Sequence, residues 1–256
     1  MFEYDSVHDK WIRRSNMLFA KSNFSLCSVN DKIYSFGGIA LDTDRIDIVE
    51  CYDIEENKWT YIGSMPIPFI SGSVIFHDGL FYICGGRIGV GRINSCYTFN
   101  PESKEWNQVA SMRIGRFNFG VCCINENSIF VIGGQRYLES EQSLYTREAL
   151  SSVEIYDIYS DQWSIGPSTP YPIYNPGICL IGNDLFVCGT TEHCYDNNSE
   201  YRYMFTGILK MDVISREWTI IENNITDLRT NYRCISAQLN TRKLKRHVSG
   251  ENKKET

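Results

Sequence analysis

Short apolar runs alternate with polar turns along most of the chain. The runs FSLCSV, GSVIF, GVCCI and GICLI each precede a second run, and the second runs are IYSFGG, FYICGG, IFVIGG and LFVCGT. The second runs are apolar at consecutive positions, as expected of a strand that is covered on both faces. A period of 3.6 residues, which would indicate helices, is almost absent. The pattern therefore predicts pairs of short antiparallel β-strands joined by tight turns.

A second pattern consists of an aromatic or apolar residue, then Asp or Asn, then a tryptophan seven positions after the first residue. It accounts for all five tryptophans, and its copies are Tyr4-Asp5 before Trp11, Tyr52-Asp53 before Trp59, Phe99-Asn100 before Trp106, Tyr156-Asp157 before Trp163 and Met211-Asp212 before Trp218. The residues in between are polar turn formers. Each copy therefore predicts a hairpin whose third strand ends at the aromatic residue and whose fourth strand begins at the Trp.

Glycine pairs end the second run of each unit. They lie at Gly37–Gly38, Gly85–Gly86 and Gly133–Gly134, and Gly189 is followed by Thr190 in a degenerate fourth copy. Glycine supplies the backbone freedom that a sharp strand end needs and leaves space for a neighbouring ring. Four-stranded units of about 50 residues, repeated and covered on both faces, predict a β-propeller.

The double glycine, the aromatic–Asp pair and the spaced Trp together resemble the kelch repeat over residues 1–239. The resemblance implies an all-β kelch β-propeller of about five blades, each with four antiparallel strands. The expected complete blades are 17–63, 64–110, 111–166 and 167–222. One further blade is shared between the ends of the chain, with its third and fourth strands in 1–16 and its first strand in 229–239.

The shared blade is expected to be incomplete. A second strand with a glycine pair should follow residue 239, but the sequence there is TRKLKRHVSG. We therefore expect a nearly closed ring and a basic, disordered tail over residues 240–256.

Kelch propellers of BTB–kelch proteins recognise substrates for cullin ubiquitin ligases, so the resemblance implies a non-enzymatic protein–protein interaction module. Because the sequence contains no BTB region, we expect a competitor or decoy rather than an adaptor. The excess of Ile, Asn and Tyr over Ala indicates an AT-rich genome. A shortened kelch array in such a genome is similar to poxviral kelch-like proteins, which implies a viral modulator of host ubiquitin-ligase or signalling pathways.

The segments before the first strands are a candidate binding region, because in a propeller they gather around one mouth of the central channel. Alignment gives Lys21, Phe69, Arg116, Ile173 and Arg229 at one position, and Asn23, Ser71, Asn118, Asn175 and Asn231 two residues later. The kelch resemblance implies that this face holds partner peptides. The cations and amides could hold an extended acidic or phosphorylated segment. Alternatively, the Asn and Ser side chains fix local turns through bonds to the backbone.

The loops that follow the glycine pairs lie on the same face. The two long loops, 135–150 and 190–205, are rich in Tyr and Arg, which are enriched at binding hot spots. Long loops on a rigid scaffold are usually functional or disordered, and the aromatic content favours function. The candidate partner-binding residues are Arg136, Tyr137, Arg147, Tyr201 and Arg202 in the long loops, and Arg45, Arg87 and Arg92 in the short ones.

Composition narrows the function classes. The formal net charge of -6 argues against nucleic acid and anionic membranes as partners, and no apolar run approaches the length of a membrane span. The ten cysteines lie mostly in apolar runs without a C-x-x-C pair, so we expect buried thiols, a reducing compartment and a cytoplasmic protein. We expect His193 beside Cys194 to be a solvated loop pair rather than a metal site. We therefore expect no cofactor, no metal, no small-molecule substrate and no catalysis.

Two alternatives stay open at this point. The chain could be a truncated, decaying kelch gene product with a marginal fold and little activity of its own. It could also be an enzyme, since some kelch-like propellers are copper oxidases or sialidase relatives. A cooperative melt of a monomer distinguishes a closed ring from decay, and an enzyme of this kind would require a bound metal.

Overall fold

The computed structural model describes residues 1–40, 46–89, 91–138, 147–192, 203–223 and residue 225. All secondary-structure elements in these residues are β-strands. Four of the sheets contain four antiparallel strands each. The predicted all-β propeller is therefore confirmed. The strands are β1 (Phe2–Asp5), β2 (Lys10–Arg13), β3 (Lys21–Ser22), β4 (Ser25–Val29), β5 (Lys32–Phe36), β6 (Ile39–Ala40), β7 (Ile48–Asp53), β8 (Lys58–Ser64), β9 (Ser73–His77), β10 (Leu80–Cys84), β11 (Arg87–Ile88), β12 (Gly91–Arg92), β13 (Cys96–Phe99), β14 (Trp106–Val109), β15 (Gly120–Asn125), β16 (Ser128–Ile132), β17 (Gln135–Tyr137), β18 (Arg147–Ala149), β19 (Val153–Asp157), β20 (Gln162–Ile165), β21 (Tyr174–Ile181), β22 (Asp184–Glu192), β23 (Tyr203–Asp212) and β24 (Trp218–Glu222).

The four-stranded sheets are the blades. Blade 1 contains β4, β5, β7 and β8, blade 2 contains β9, β10, β13 and β14, blade 3 contains β15, β16, β19 and β20, and blade 4 contains β21, β22, β23 and β24. In each blade the strands are paired in chain order. The hairpin of β1 and β2 is a separate two-stranded sheet that we call the half-blade, because it carries only the third-strand and fourth-strand motifs.

The aromatic pairs lie across the outer hairpin of each blade. Tyr52 and Trp59 are cross-strand neighbours with ring centroids 5.2 Å apart, and Tyr156 and Trp163 repeat this at 5.1 Å. In blade 3 the Trp163 indole nitrogen also donates to the carbonyl of Ala110 in blade 2. The repeated motif therefore ties the two outer strands together and joins its blade to the preceding one.

Apolar residues on both faces of the second strands form the core between blades. In β10, Phe81 packs into a cluster with Phe36 of blade 1, whereas the next residue, Tyr82, packs with Tyr156 of blade 3. Both side chains are buried, and burial of an apolar side chain of this size stabilises the fold by about 1.5–3 kcal/mol. The continuous apolar runs in the sequence therefore correspond to strands that are covered on both faces.

A chain of main-chain hydrogen bonds links the first strands around the propeller axis. Ser71 N–H donates to the Asn23 carbonyl, Asn118 N–H to Ser71, and Asn175 N–H to Asn118. All four residues have a positive φ between 50° and 58°, a conformation that Asn tolerates better than most residues. The backbone of these residues therefore links neighbouring blades. The sequence analysis considered only two roles for them, which were peptide binding and side-chain hydrogen bonds to the local turn.

The glycine pairs form contacts with the next blade. Gly134 has a φ of 96° and its N–H donates to the carbonyl of Ile173. A Cβ at Gly134 would lie 2.7 Å from the Cβ of Phe119. In blade 4, where Thr190 replaces the second glycine, β22 continues without a turn to Glu192. The glycine pair thus ends the strand where it is present, and its loss lengthens the strand.

The half-blade lies beside blade 1 in the way that blade 2 lies beside blade 3. Ser15 N–H donates to the Asn57 side-chain oxygen at 2.9 Å, and Ala110 N–H donates to the Asp161 carboxylate at 2.7 Å. Asn57 and Asp161 occupy the same position in their outer turns, each with a positive φ. The half-blade therefore docks on blade 1 through the same position of the outer turn.

The outer turns predict a pH effect on stability. The Asp157 carboxylate accepts hydrogen bonds from the Ser160 N–H and hydroxyl, each at 2.8 Å, and these bonds lower its pKa below the ordinary value, with the backbone bond as the larger cause. A lowered folded-state pKa contributes stability above the unfolded pKa, and that contribution is lost as the pH falls. Asn100 accepts the corresponding backbone bonds in blade 2 without a charge.

We expect Asp157→Asn to be less stable than the wild type at neutral pH and equal to it in acid. The difference in urea midpoint should shrink as the pH falls from about 5 to about 3 and vanish once the pH is below the lowered folded-state pKa of Asp157. The converse variant Asn100→Asp should acquire the same pH dependence. A difference for Asp157→Asn that stays constant across this range would contradict the assignment.

Candidate partner-binding face

Small two-stranded sheets cover the end of the propeller at which the glycine pairs lie, and we call this end the glycine face. They pair β3 with β6, β11 with β12, and β17 with β18. Isolated bridges join Ile70 to Arg87 and Phe117 to Gln135. The segment before each first strand is therefore fixed against the segment after the glycine pair of the same blade. The opposite end carries the outer turns 5–10, 53–58, 100–105, 157–162 and 212–217, and we call it the turn face.

Two arginines connect the hairpins above blades 2 and 3. Arg87 lies over the ring of Phe117, with 5.9 Å from its guanidinium carbon to the ring centroid, and it donates to the carbonyl of Gly89. Arg92 is exposed and donates to the carbonyl of Tyr137 at 2.9 Å. Contacts of an arginine with an aromatic face contribute about 0.5–1 kcal/mol at exposed sites. These side chains hold neighbouring blades in register at the glycine face.

A second pair of arginines flanks the hairpin above blade 3. Arg147 is exposed and lies 5.6 Å from the ring centroid of Tyr137. The Tyr137 ring is buried, 5.2 Å from that of Phe117. Arg136 forms an ion pair with Glu148 at 2.6 Å, and both side chains are partly exposed. Arginines thus surround a buried aromatic pair on the part of this face that the structure describes.

Arg116 does not belong to the surface. It is fully buried, and its guanidinium donates to the carbonyls of Gly133 and Ser152 and to the carboxylate of Glu154, the last at 2.6 Å. Burial lowers its pKa, an effect that Glu154 opposes. The sequence-based interpretation of Arg116 as a partner contact is therefore corrected, because the side chain is buried and both of its terminal guanidinium nitrogens donate to groups of blade 3.

Lys21 has the same role in blade 1. Its side chain is buried and its ammonium lies 3.0 Å from the Glu50 carboxylate, which is also buried. Burial lowers the pKa of Lys21, and Glu50 opposes the shift. Glu50 additionally accepts hydrogen bonds from the backbone N–H groups of Leu18 and Phe19. Lys21 is therefore also removed from the candidate surface.

The Asn residues of the candidate set differ in exposure. Asn23 is exposed, whereas Asn118 and Asn175 are half-buried. The Asn118 side-chain amide donates to the side-chain oxygen of Gln135 at 3.4 Å. These residues lie together near the axis at the glycine face, through the main-chain hydrogen bonds described above. The remaining candidates, Arg45, Tyr201, Arg202, Arg229 and Asn231, lie outside the described residues.

Glu50 and Glu154 were missed in the sequence, although a signal for them exists. Each stands two residues before the aromatic residue of the third strand, in IVECYD and VEIYD. Each follows a Lys or Arg at the position of Lys21 or Arg116 in the same blade. Like Glu50, Glu154 accepts two backbone N–H groups, those of Arg113 and Ile114. Alignment of acidic and basic positions blade by blade would have paired them.

Blades 2 and 4 carry an apolar pair at the position of the ion pair. Phe69 and Tyr97 line one small cavity in blade 2, and Ile173 and Leu209 share a core cluster in blade 4. Three residues before Phe69 and Ile173 the sequence has Pro66 and Pro170, which lack the N–H that the glutamate would accept. The blades that lack the buried glutamate therefore also lack one of the two backbone N–H groups that would donate to it.

The described part of the chain contains neither a cluster of candidate metal ligands nor a helix of membrane-spanning length. No group of three or more His, Cys, Asp or Glu side chains in those residues is arranged to hold a metal ion. The described residues also contain no helix that is long and apolar enough to cross a membrane.

Comparison with known proteins identifies the class. Residues 2–190 match the model of the KLHDC2/KLHL20/DRC7 Kelch-repeats domain, so the chain belongs to the kelch-repeat family. The resemblance of these repeats to the kelch region of BTB–kelch proteins is thereby confirmed. The kelch-repeat relatives imply a protein–protein interaction module.

Individual relatives are similar at low identity. Kelch repeat and BTB domain-containing protein 8 of Danio rerio is 27% identical over 93% of this chain and 39% of its own length. Kelch-like protein 23 of Homo sapiens is 29% identical over 70% of this chain and 30% of its own length. Alpha-scruin of Limulus polyphemus is 26% identical over 73% of this chain and 21% of its own length. The chain thus spans well under half the length of these relatives.

The buried ion pair of blade 3 yields a stability prediction. Arg116→Met should destabilise the protein by about 3–5 kcal/mol, because Glu154 stays buried without its cation. The triple variant Arg116→Ile, Glu154→Leu, Arg113→Pro copies the apolar solution of blade 4 and should recover most of that loss. Urea unfolding measures both, with the exposed cation in Arg216→Met as the control. A triple variant no more stable than Arg116→Met would contradict the compensation.

Proposed function

We propose that this chain is a non-enzymatic interaction module that binds a partner protein through its glycine face. The observation that carries the proposal is the cluster of Arg87, Arg92 and Arg147 around the Phe117–Tyr137 pair. Arginine is among the residue types that dominate binding energy at protein interfaces, and the buried aromatic pair helps to fix the positions of these arginines. The hairpins hold these side chains on a rigid scaffold, which reduces the ordering cost of binding.

The partner segment is proposed to be acidic or phosphorylated. Guanidinium groups match carboxylate and phosphate geometry, and several can contact one extended segment. The turn face has the opposite character and would repel such a segment, because its carboxylates outnumber its cations. Its exposed cations are Lys10, Lys32, Lys58, Lys104 and Arg216, and its exposed or half-exposed carboxylates are Asp5, Asp9, Asp31, Asp53, Glu55, Glu56, Asp78, Glu102, Glu105, Glu126, Asp157, Asp161, Asp184, Asp212 and Glu217. The charge distribution therefore favours one end of the propeller for an anionic partner.

The finer functional assignments rest on the resemblance and on composition. They are a cytoplasmic location, action as a competitor or decoy, and modulation of a host ubiquitin-ligase or signalling pathway by a viral protein. The alternative of a decaying gene product with a marginal fold predicts aggregation and a non-cooperative melt. Gel filtration and thermal melting of the full chain separate that alternative from a functional module.

Partner capture tests the proposed face. The triple variant Arg87→Ala, Arg92→Ala, Arg147→Ala should recover about tenfold less partner than the wild type in quantitative affinity purification, because these arginines supply the anchoring contacts. The control variant Lys10→Ala, Lys32→Ala, Lys58→Ala removes the same charge from the turn face and should leave recovery unchanged. Phosphatase treatment of the lysate tells a phosphorylated partner from an acidic one. Equal recovery by both variants would remove the glycine face from the proposal.

A further inference from the structure

The sheet of β17 and β18 presents a charged pair on its outward face. Arg136 and Glu148 lie directly opposite each other in this sheet, and their side chains are 35% and 42% exposed. Their neighbours in β17, Gln135 and Tyr137, are buried. Because successive side chains of a strand point to opposite faces, the Arg136–Glu148 pair lies on the side of the sheet that faces away from the Tyr137 ring.

Glu148 differs in charge from the other ionised groups at the surface of the glycine face. The short strands β3, β6, β11, β12, β17 and β18 contain Glu148 as their single carboxylate, and the arginines among their exposed or half-exposed residues are Arg87, Arg92, Arg136 and Arg147. Glu148 therefore carries the same sign of charge as the partner segment proposed for this face.

The contact between Arg136 and Glu148 is one short hydrogen bond. Arg136 Nε donates to Glu148 Oε2 at 2.6 Å, and within the described residues this is the only hydrogen bond of either side chain. A guanidinium holds a carboxylate or a phosphate more firmly when it offers two parallel N–H groups. Exposed ion pairs also contribute little stability, because water and dissolved ions screen them. Glu148 is therefore a displaceable occupant of the Arg136 guanidinium.

We propose that Arg136 is a further anion subsite of the glycine face, and that Glu148 occupies this subsite until a carboxylate or phosphate of the partner segment displaces it. The inference rests on the proposed function, because it assigns the same segment to the same face. Glu148 opposes binding in two ways, since it holds the guanidinium and its charge repels the incoming anion. Repulsive elements of this kind make an interface reject segments that carry too little charge.

Two other roles for Glu148 lead to different expectations. Burial is the main cause that lowers the pKa of Arg116, and the positive charge of Arg136 acts in the same direction. If Glu148 served only to offset that charge, its removal would destabilise blade 3 and leave affinity unchanged. If Glu148 served only to orient Arg136, its removal would weaken the binding of an anionic segment. An occupant that competes with the segment gives the opposite sign, because its removal strengthens binding.

Fluorescence anisotropy of the full chain with two labelled hexapeptides tests the proposal. One peptide consists of six glutamates, and the other alternates phosphoserine with glycine. Glu148→Gln should bind the peptides that the wild type binds about two- to fivefold more tightly, which is the range expected for the release of an exposed ion pair. The control Glu126→Gln removes the same charge from the turn face and should leave the affinity unchanged.

A double-mutant cycle separates competition for Arg136 from simple repulsion. In the Arg136→Ala background, Glu148→Gln should lose most of its effect on affinity, because no guanidinium remains to be released. An equal gain in both backgrounds would overturn the inference, and so would weaker binding by Glu148→Gln. The urea midpoint of Glu148→Gln should match that of Glu126→Gln. A lower midpoint together with unchanged affinity would assign Glu148 to the structural role instead.

The arginine variant of the partner-capture experiment tells a failure of this inference from a failure of the proposed function. If peptide binding is lost in Arg87→Ala, Arg92→Ala, Arg147→Ala while Glu148→Gln has no effect, the proposed function stands and the inference is wrong. If neither peptide binds the wild type or Glu148→Gln, the proposed function and the inference fail together. The same holds if the triple variant binds as tightly as the wild type.

Discussion

Second strands that are apolar on both faces are the constraint on which the rest of the structure depends. Phe81 and Tyr82 are consecutive in β10, yet one packs towards blade 1 and the other towards blade 3. A single blade would leave one of these faces in water, so each blade requires a neighbour on both sides. The side-by-side packing of successive blades, the contacts of the glycine pairs and the docking of the half-blade on blade 1 all follow from that requirement.

Charges enter this core only where the backbone supplies partners for them. Glu154 receives two backbone N–H groups as well as Arg116, and a buried charge with this many partners is tolerated where an isolated one would not be. In blade 4, Ile173, Leu209 and Pro170 fill the corresponding positions without a charge or a free donor. The same space is thus filled in two ways, by a buried ion pair in blades 1 and 3 and by uncharged side chains in blades 2 and 4.

The fold could be predicted from the sequence because its marks are local. Tyr52 and Trp59 are seven residues apart and meet across one turn, so their spacing alone indicates the hairpin. The candidate site was harder to predict from the sequence. The partner of Arg116 lies 38 residues further along the chain, and it can be identified only when the blades are aligned. The hairpin of β17 and β18 has strands of three residues each, which is too short for any periodicity to reveal.

The central functional claim is that the partner is held at the glycine face and not at the turn face. Site-specific photo-crosslinking tests it most directly, with a photoreactive residue placed either at Leu138, beside the arginine cluster, or at Tyr159, which is 83% exposed in an outer turn. The account predicts a covalent adduct with the partner from position 138 and none from position 159. An adduct from position 159 alone would contradict it.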